Sequence, residues 1–163
     1  MQRIGITGHR QFDEPTTRLI RAALRRVVEA YQGCDLIGVT CLAEGSDTLF
    51  AEAVADRGGR LEVVIPAVRY RETLPATHQD AYDEWLARAT EVHRLAFVES
   101  DDAAYLAGGE QMLMVIDRLI AVWDGLPARG IGGTGDIVQN AYRRGLPVEV
   151  VWPDGALRAA VHE

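Results

Sequence analysis

Leu119-Ile120-Ala121-Val122-Trp123 is apolar on both faces and runs through Asp124 into a stretch, 125–135, with five glycines in eleven residues. A strand with no polar face lies inside a sheet that is covered on both sides. The glycines feed a helical pattern over 136–144, which Gly145 stops. Strand, loop and helix in that order are the repeating unit of a parallel α/β sheet.

The same alternation extends outward from this stretch. Short β-branched runs predict strands at 3–7, 36–40, 61–65 (closed by Pro66), 95–98 and 148–152. Between them, apolar residues recur at three- and four-residue spacing. Leu19, Ile20, Leu24, Val27, Val28 and Tyr31 mark a helix over 14–32, opened by Asp13 and Pro15. Ser46 or Asp47 caps a second, with Leu49, Phe50, Ala53 and Val54 inside and Gly58-Gly59 at its end. Tyr82, Trp85, Leu86, Ala89 and Val92 mark a third, and Met112, Val115, Ile116 and Leu119 share a face of a fourth over 103–118. Residues 68–77 show no period. Six strands with intervening helices predict one α/β domain over 1–163, a three-layer sandwich with a mostly parallel sheet. Ligands of such sheets bind beyond the carboxyl ends of the strands, where strand order reverses. Gly8, Gly45 and Gly133 all fall at such ends, which predicts that they share one edge of the sheet.

Composition narrows the function. Apolar residues make up 48% of 163 and charged residues 25%, which excludes general disorder. The net charge is −7, from 17 Lys and Arg against 24 Asp and Glu, so nucleic acid is not expected as a partner. No apolar run approaches the roughly 20 residues of a membrane span, and Met1-Gln2-Arg3 does not open a signal peptide. Cys34 and Cys41 form no Cys-x-x-Cys and read as free thiols, so a cytoplasmic setting without membrane contact is expected. His9, His78, His93 and His162 are scattered without metal-ligand spacing, so no metal and no cofactor are expected. Ser46 and Ser100 are the only serines, and no Gly-x-Ser-x-Gly elbow exists.

Three segments remain as candidates for chemistry. In 5–10, Gly8 allows close backbone approach, Arg10 offers a two-pronged phosphate contact, and His9 stands between them. In 41–47, Gly45 and Ser46 present N–H groups at a helix start, Asp47 faces the helix dipole, and Glu44 suits a ribose hydroxyl. In 130–136, Gly132, Gly133 and Gly135 expose backbone donors and Thr134 adds a hydroxyl, while the missing Lys rules out a Walker loop. Asp124 either accepts from a sugar or caps its own loop. Arg71 and Glu72 stand beyond the third strand, and Arg158 lies in the tail, outside the expected site. If the protein is an enzyme, Asp136, Asp124 and Glu72 are the candidate catalytic carboxylates.

Together, Gly5-Ile6-Thr7-Gly8-His9-Arg10, Leu42-Ala43-Glu44-Gly45-Ser46-Asp47, Ile120-Ala121-Val122-Trp123-Asp124-Gly125 and Gly132-Gly133-Thr134 resemble the SLOG superfamily, over roughly residues 3–151. This Rossmann-like group includes the Lonely Guy phosphoribohydrolases, molybdenum-cofactor carrier proteins and the DNA-processing protein A fold. The resemblance implies a phosphorylated nucleotide or nucleotide-derived ligand, such as a nucleotide sugar or an ADP-ribose-like molecule, held at the glycine-rich loops. It also implies a homodimer, for which the helix over 103–118, with Met112, Met114, Val115 and Ile116, is the expected contact. Lonely Guy enzymes have Pro-Gly-Gly-x-Gly-Thr-x-x-Glu, whereas here Thr134 is followed by Gly135-Asp136-Ile137 and the Pro is absent. N-glycosidic hydrolysis of a nucleotide is therefore the alternative, and an assembly role with a vestigial site is another.

Overall fold

A computed structural model describes residues 1–128, 130 and 132–159. Ile131 of the glycine loop and His162 lie outside the described residues. The sheet is built on β1 (Gln2–Gly8), whose Ile4 and Ile6 are fully buried. One neighbour is β2 (Leu36–Thr40), followed outward by β3 (Arg60–Ala67) and β4 (Glu91–Phe97). The other neighbour is β5 (Arg118–Val122), followed by β6 (Val148–Val151). The order is β4-β3-β2-β1-β5-β6, and all pairs are parallel. Strand order therefore reverses between β1 and β5, where Gly8 pairs with Val122.

Helices cover both faces. On one side α1 (Glu14–Val28), α2 (Ser46–Asp56) and α4 (Ala76–Arg88) bury Ile20, Leu24, Phe50, Val54 and Tyr82 against Ile4, Ile6, Leu36 and Val63. On the other, α5 (Asp102–Val115) and α6 (Thr134–Arg143) bury Met112, Leu113, Ile137 and Ala141 against Val39, Val64 and Leu119. Asp13 starts α1 as foreseen, its carboxylate accepting the Thr16 N–H at 2.8 Å. Thr16, Ile20, Leu24 and Val28 follow at four-residue steps on the buried face.

Several boundaries depart from the sequence reading for local reasons. The first helix ends at Val28 rather than 32, and a 3₁₀ turn, Gly33–Asp35, leads into β2. β3 continues through Pro66, and its register with β4 shifts between Ile65 and Ala67, where the proline has no N–H to offer. The aperiodic 68–77 contains α3 (Tyr70–Thr73) and the start of α4. Val92 belongs to β4, not to a helix; β4 is an edge strand with polar, partly exposed residues, so it lacks a strand's apolar signature. The last helix begins at Thr134, so the glycine loop ends at Gly133. The surplus apolar residues of α5 are largely met within the chain: Met112, Leu113 and Ile116 are buried, and Met114 is exposed. No helix among the described residues is long and apolar enough to cross a membrane.

Candidate functional site

Three loops meet beyond the carboxyl ends of β1, β2 and β5, and Gly8, Gly45 and Gly133 all stand on that edge. Between the loops lies a cleft of about 750 Å³. Its floor includes Thr7, Gly8 and His9; one wall carries Arg10, Glu44 and Asp47, and the opposite one Gly132, Gly133 and Thr134.

The two glycines of the first loops serve the protein's own packing. A Cβ on Gly8 would stand 2.5 Å from Ser46 Oγ, and one on Gly45 (φ +82°) would stand 2.3 Å from the Arg10 carbonyl. Ser46 is buried and donates its hydroxyl to the His9 carbonyl at 2.7 Å, so it ties the first two loops together rather than capping α2. Gly45 holds the cap position. Asp47 accepts the Ala43 N–H at 3.2 Å and lines the cleft while almost fully buried. Burial pushes its carboxyl up to about 7, against the opposing pull of the Ala43 N–H and the Arg10 charge. Burial likewise pushes the Cys41 thiol well up, so this free thiol on the cleft wall is no thiolate nucleophile.

Arg10 is already engaged. Its Nε and Nη2 each donate to a carboxylate oxygen of Glu44 at 2.9 Å, a two-pronged pair in which Glu44 is the more buried partner. Burial works against the Arg10 charge, and the Glu44 contact more than restores it. A second, smaller cavity of about 380 Å³ is also lined by Arg10, Gln11 and Glu44, so the ion pair stands between two spaces.

On the opposite wall, Asp136 turns back and accepts the Gly132 N–H at 3.0 Å, while the Gly133 N–H donates to the Gly130 carbonyl at 3.2 Å. The first two N–H groups of α6, on Thr134 and Gly135, have no acceptor within the helix. Of these two residues Thr134 lines the cleft, whereas Gly135 is buried against the 126–128 loop. Gly132 (φ +78°) rests on α5, where a Cβ would meet the Leu106 nitrogen at 2.9 Å.

Asp124 lies beside the cleft and organises its rim. Oδ1 accepts the Leu126 N–H at 3.0 Å, capping its own turn, and Oδ2 lies 3.4 Å from Arg158 Nη1. His9 Nε2 is 3.3 Å from both the backbone nitrogen and Oδ1 of Asp124. The backbone N–H can only donate, so Nε2 accepts it in the neutral ring and turns donor to Oδ1 on protonation. Burial raises the Asp124 carboxyl, but the Leu126 N–H, His9 and Arg158 outweigh it and hold it below the ordinary value.

Arg158 corrects the sequence reading, which left it outside the site. Its side chain is 15% exposed and lines the cleft, because Ala156 is buried and the Leu157 N–H donates to Thr16 Oγ1 at 3.1 Å. Tyr105 was missed, and Tyr70 stands in the 70–72 segment beyond the third strand without having been named for the site; with Pro66 and Pro75 they form an aromatic and apolar end of the cleft. Nothing in the spacing of Tyr105 distinguishes it from a core residue. Glu72 and Arg71 do not join the cleft: Glu72 is exposed beside Arg69, and Arg71 makes a two-pronged pair with Asp83 at 2.7 and 2.8 Å. Sequence spacing also hid a grouping of Glu62, Glu91 and His93, brought together by β3 and β4 outside the cleft. Arg3 and His93 already engage the two oxygens of Glu62, at 3.2 and 3.3 Å.

No family model matches the sequence, and no curated protein does. Solved structures do match. DNA processing protein A from Streptococcus pneumoniae aligns with a TM-score of 0.68 at 14% identity, over 95% of this chain and 52% of that one. The Helicobacter pylori DNA processing protein A, described in its single-stranded DNA binding mode, gives 0.68 and 14%, over 95% and 67%. The Moco carrier protein of Chlamydomonas reinhardtii gives 0.54 and 14%, over 91% and 74%. The chain thus spans about half the length of the Streptococcus protein. The Helicobacter structure overturns the exclusion of nucleic acid drawn from net charge: a protein of this fold binds single-stranded DNA. Net charge describes the whole surface, while the cleft locally presents Arg10 and Arg158. The parallel sheet, its reversal beside β1 and these structural likenesses agree, and the chain has a Rossmann-like fold, shared with these proteins.

Proposed function

We propose that the protein binds a nucleotide or nucleotide-derived ligand in the cleft at the strand-order reversal. The observation that carries this reading is the convergence on one cleft of a two-pronged guanidinium, the open N-terminus of α6 and an aromatic end. The phosphate lies against the N-terminus of α6 at Thr134 and its hydroxyl, with Arg10 reaching it from the opposite wall. The base lies at the end formed by Tyr70 and Tyr105, where the Tyr105 hydroxyl is 3.4 Å from Thr73 Oγ1. Calorimetric titration with AMP, ADP-ribose and NAD tests this. Saturable binding that weakens at least about tenfold in Arg10→Ala supports it. No binding of any phosphate-bearing nucleotide overturns it.

Asp47 favours a second reading, hydrolysis of the N-glycosidic bond. Water adds to C1′ of the ribose, and the base leaves with a proton; a buried carboxyl poised near neutrality on the cleft wall suits that proton transfer. Asp136 does not suit it, being held by the Gly132 N–H. Free base released from AMP by the parent protein and lost in Asp47→Asn would place this reading first. Absence of release leaves the protein a binder.

A further inference from the structure

The geometry points to Glu44 as an internal occupant of the ligand's phosphate position, which makes the cleft selective for a dianionic phosphomonoester over a singly charged phosphodiester. This inference rests on the reading above that Arg10 meets the phosphate. Arg10 presents Nε and Nη2 as a planar fork, and both prongs are filled by the two oxygens of Glu44 at 2.9 Å. A phosphate uses the same fork in the same way, so it binds only by taking the carboxylate's place.

The surroundings let the side chain leave while the loop stays. The Ala43 N–H is held by Asp47 at 3.2 Å, the Ala43 carbonyl by the Thr48 hydroxyl at 2.7 Å, and Gly45 abuts the Arg10 backbone. The backbone on both sides of Glu44 is therefore pinned. Behind the carboxylate lies the second cavity, lined by Gln11, Thr48 and His78, with room to receive it. The exchange is a side-chain rotation from one cavity toward the other.

Charge then decides which ligand succeeds. A phosphodiester exchanges one negative charge for another in the same fork and gains little. A phosphomonoester carries close to two charges above its second pKa of about 6, and the extra charge meets the N-terminus of α6. Glu44 thus sets a threshold that a singly charged anion does not pass.

Calorimetry at pH 8 with adenosine, AMP and 3′,5′-cyclic AMP tests this, since the three share base and ribose. The parent protein is expected to bind AMP at least about tenfold tighter than cyclic AMP. Glu44→Gln is expected to tighten AMP about tenfold and cyclic AMP by more, narrowing the gap between them. Glu44→Asp keeps the charge but is one methylene too short for the fork, so it too is expected to tighten AMP. Tightening by Glu44→Gln without any by Glu44→Asp would reduce the effect to overall charge and overturn the inference. So would cyclic AMP binding the parent as well as AMP, or AMP binding unchanged or weakened in Glu44→Gln; either result leaves the nucleotide reading standing. No binding of AMP by parent or variants would bring both down.

Discussion

Gly45 faces the carbonyl of Arg10 so closely that a Cβ would stand 2.3 Å from the oxygen, and its φ of +82° suits no other residue well. The contact fixes the distance between the loops that follow β1 and β2. Gly45→Ala is expected to destabilise the protein by about 2 kcal/mol or more, through a left-handed alanine and a displaced Arg10 backbone. Urea unfolding measures it. A midpoint equal to the parent's would mean that the loops separate at little cost.

His78 reaches from α4 to the turn after β2, its Nε2–H donating to the Leu42 carbonyl at 2.9 Å. Leu42 is buried with a φ of +57°, a strained conformation for a non-glycine residue, and its N–H is met by Thr40 Oγ1 at 3.0 Å. Removing the imidazole leaves a strained turn with a carbonyl lacking its donor. His78→Ala is expected to cost about 1–2 kcal/mol in urea unfolding. Unchanged stability would show that the turn holds itself.

The α/β class, the parallel sheet and the edge that carries the cleft were legible because interior strands write apolar runs and loops write glycine. Side-chain partnerships were not. Asp136, a candidate catalytic carboxylate by sequence, caps the Gly132 N–H, and Gly8, on the cleft floor, also makes room for Ser46. Arg158 looked remote because it lies in the tail beyond Trp152, where the last strand was expected to end, but a buried Ala156 folds that tail back over the cleft. The contact that anchors the tail, from the Leu157 N–H to Thr16 Oγ1, spans 141 residues and leaves no spacing to read.

Arg158→Ala is accordingly expected to weaken AMP binding about three- to tenfold, less than Arg10→Ala, because Asp124 shares its charge. Arg18, exposed on α1 beside Glu14, provides the control and should have no effect when replaced. Equal affinity in Arg158→Ala and the parent would confine its role to the rim.

Asp47 and Asp124 respond to pH in opposite senses. Asp47 rises from 3.8 to about 7, so between those values the folded chain keeps a proton that the unfolded chain releases. Stability from this group falls as pH rises through that window and stays lower above it. Asp47→Asn keeps an acceptor for the Ala43 N–H without the charge. It should melt higher than the parent at pH 8 by at least roughly 2–4 °C, and the gain should shrink toward pH 4. Thermal melts showing the same gain at both pH values would refute the assignment.

Asp124 is held below its ordinary 3.8, so its contribution is present above that value and is lost as pH falls through the lower folded one. Asp124→Asn should therefore be less stable than the parent at pH 7, by about 1–3 kcal/mol, with the deficit closing in strong acid. A deficit independent of pH would assign the loss to packing instead.

The placement of β1 between β2 and β5 also divides the site between two parts of the chain. Arg10 meets Glu44 34 residues later, within the first run of neighbouring strands, whereas the Asp124 N–H reaches His9 across 115 residues. Residues up to the end of α2 hold both halves of the Arg10–Glu44 pair, and the facing wall comes from α6 and the tail. One half of the cleft is thus encoded near the start of the sequence and the other near its end.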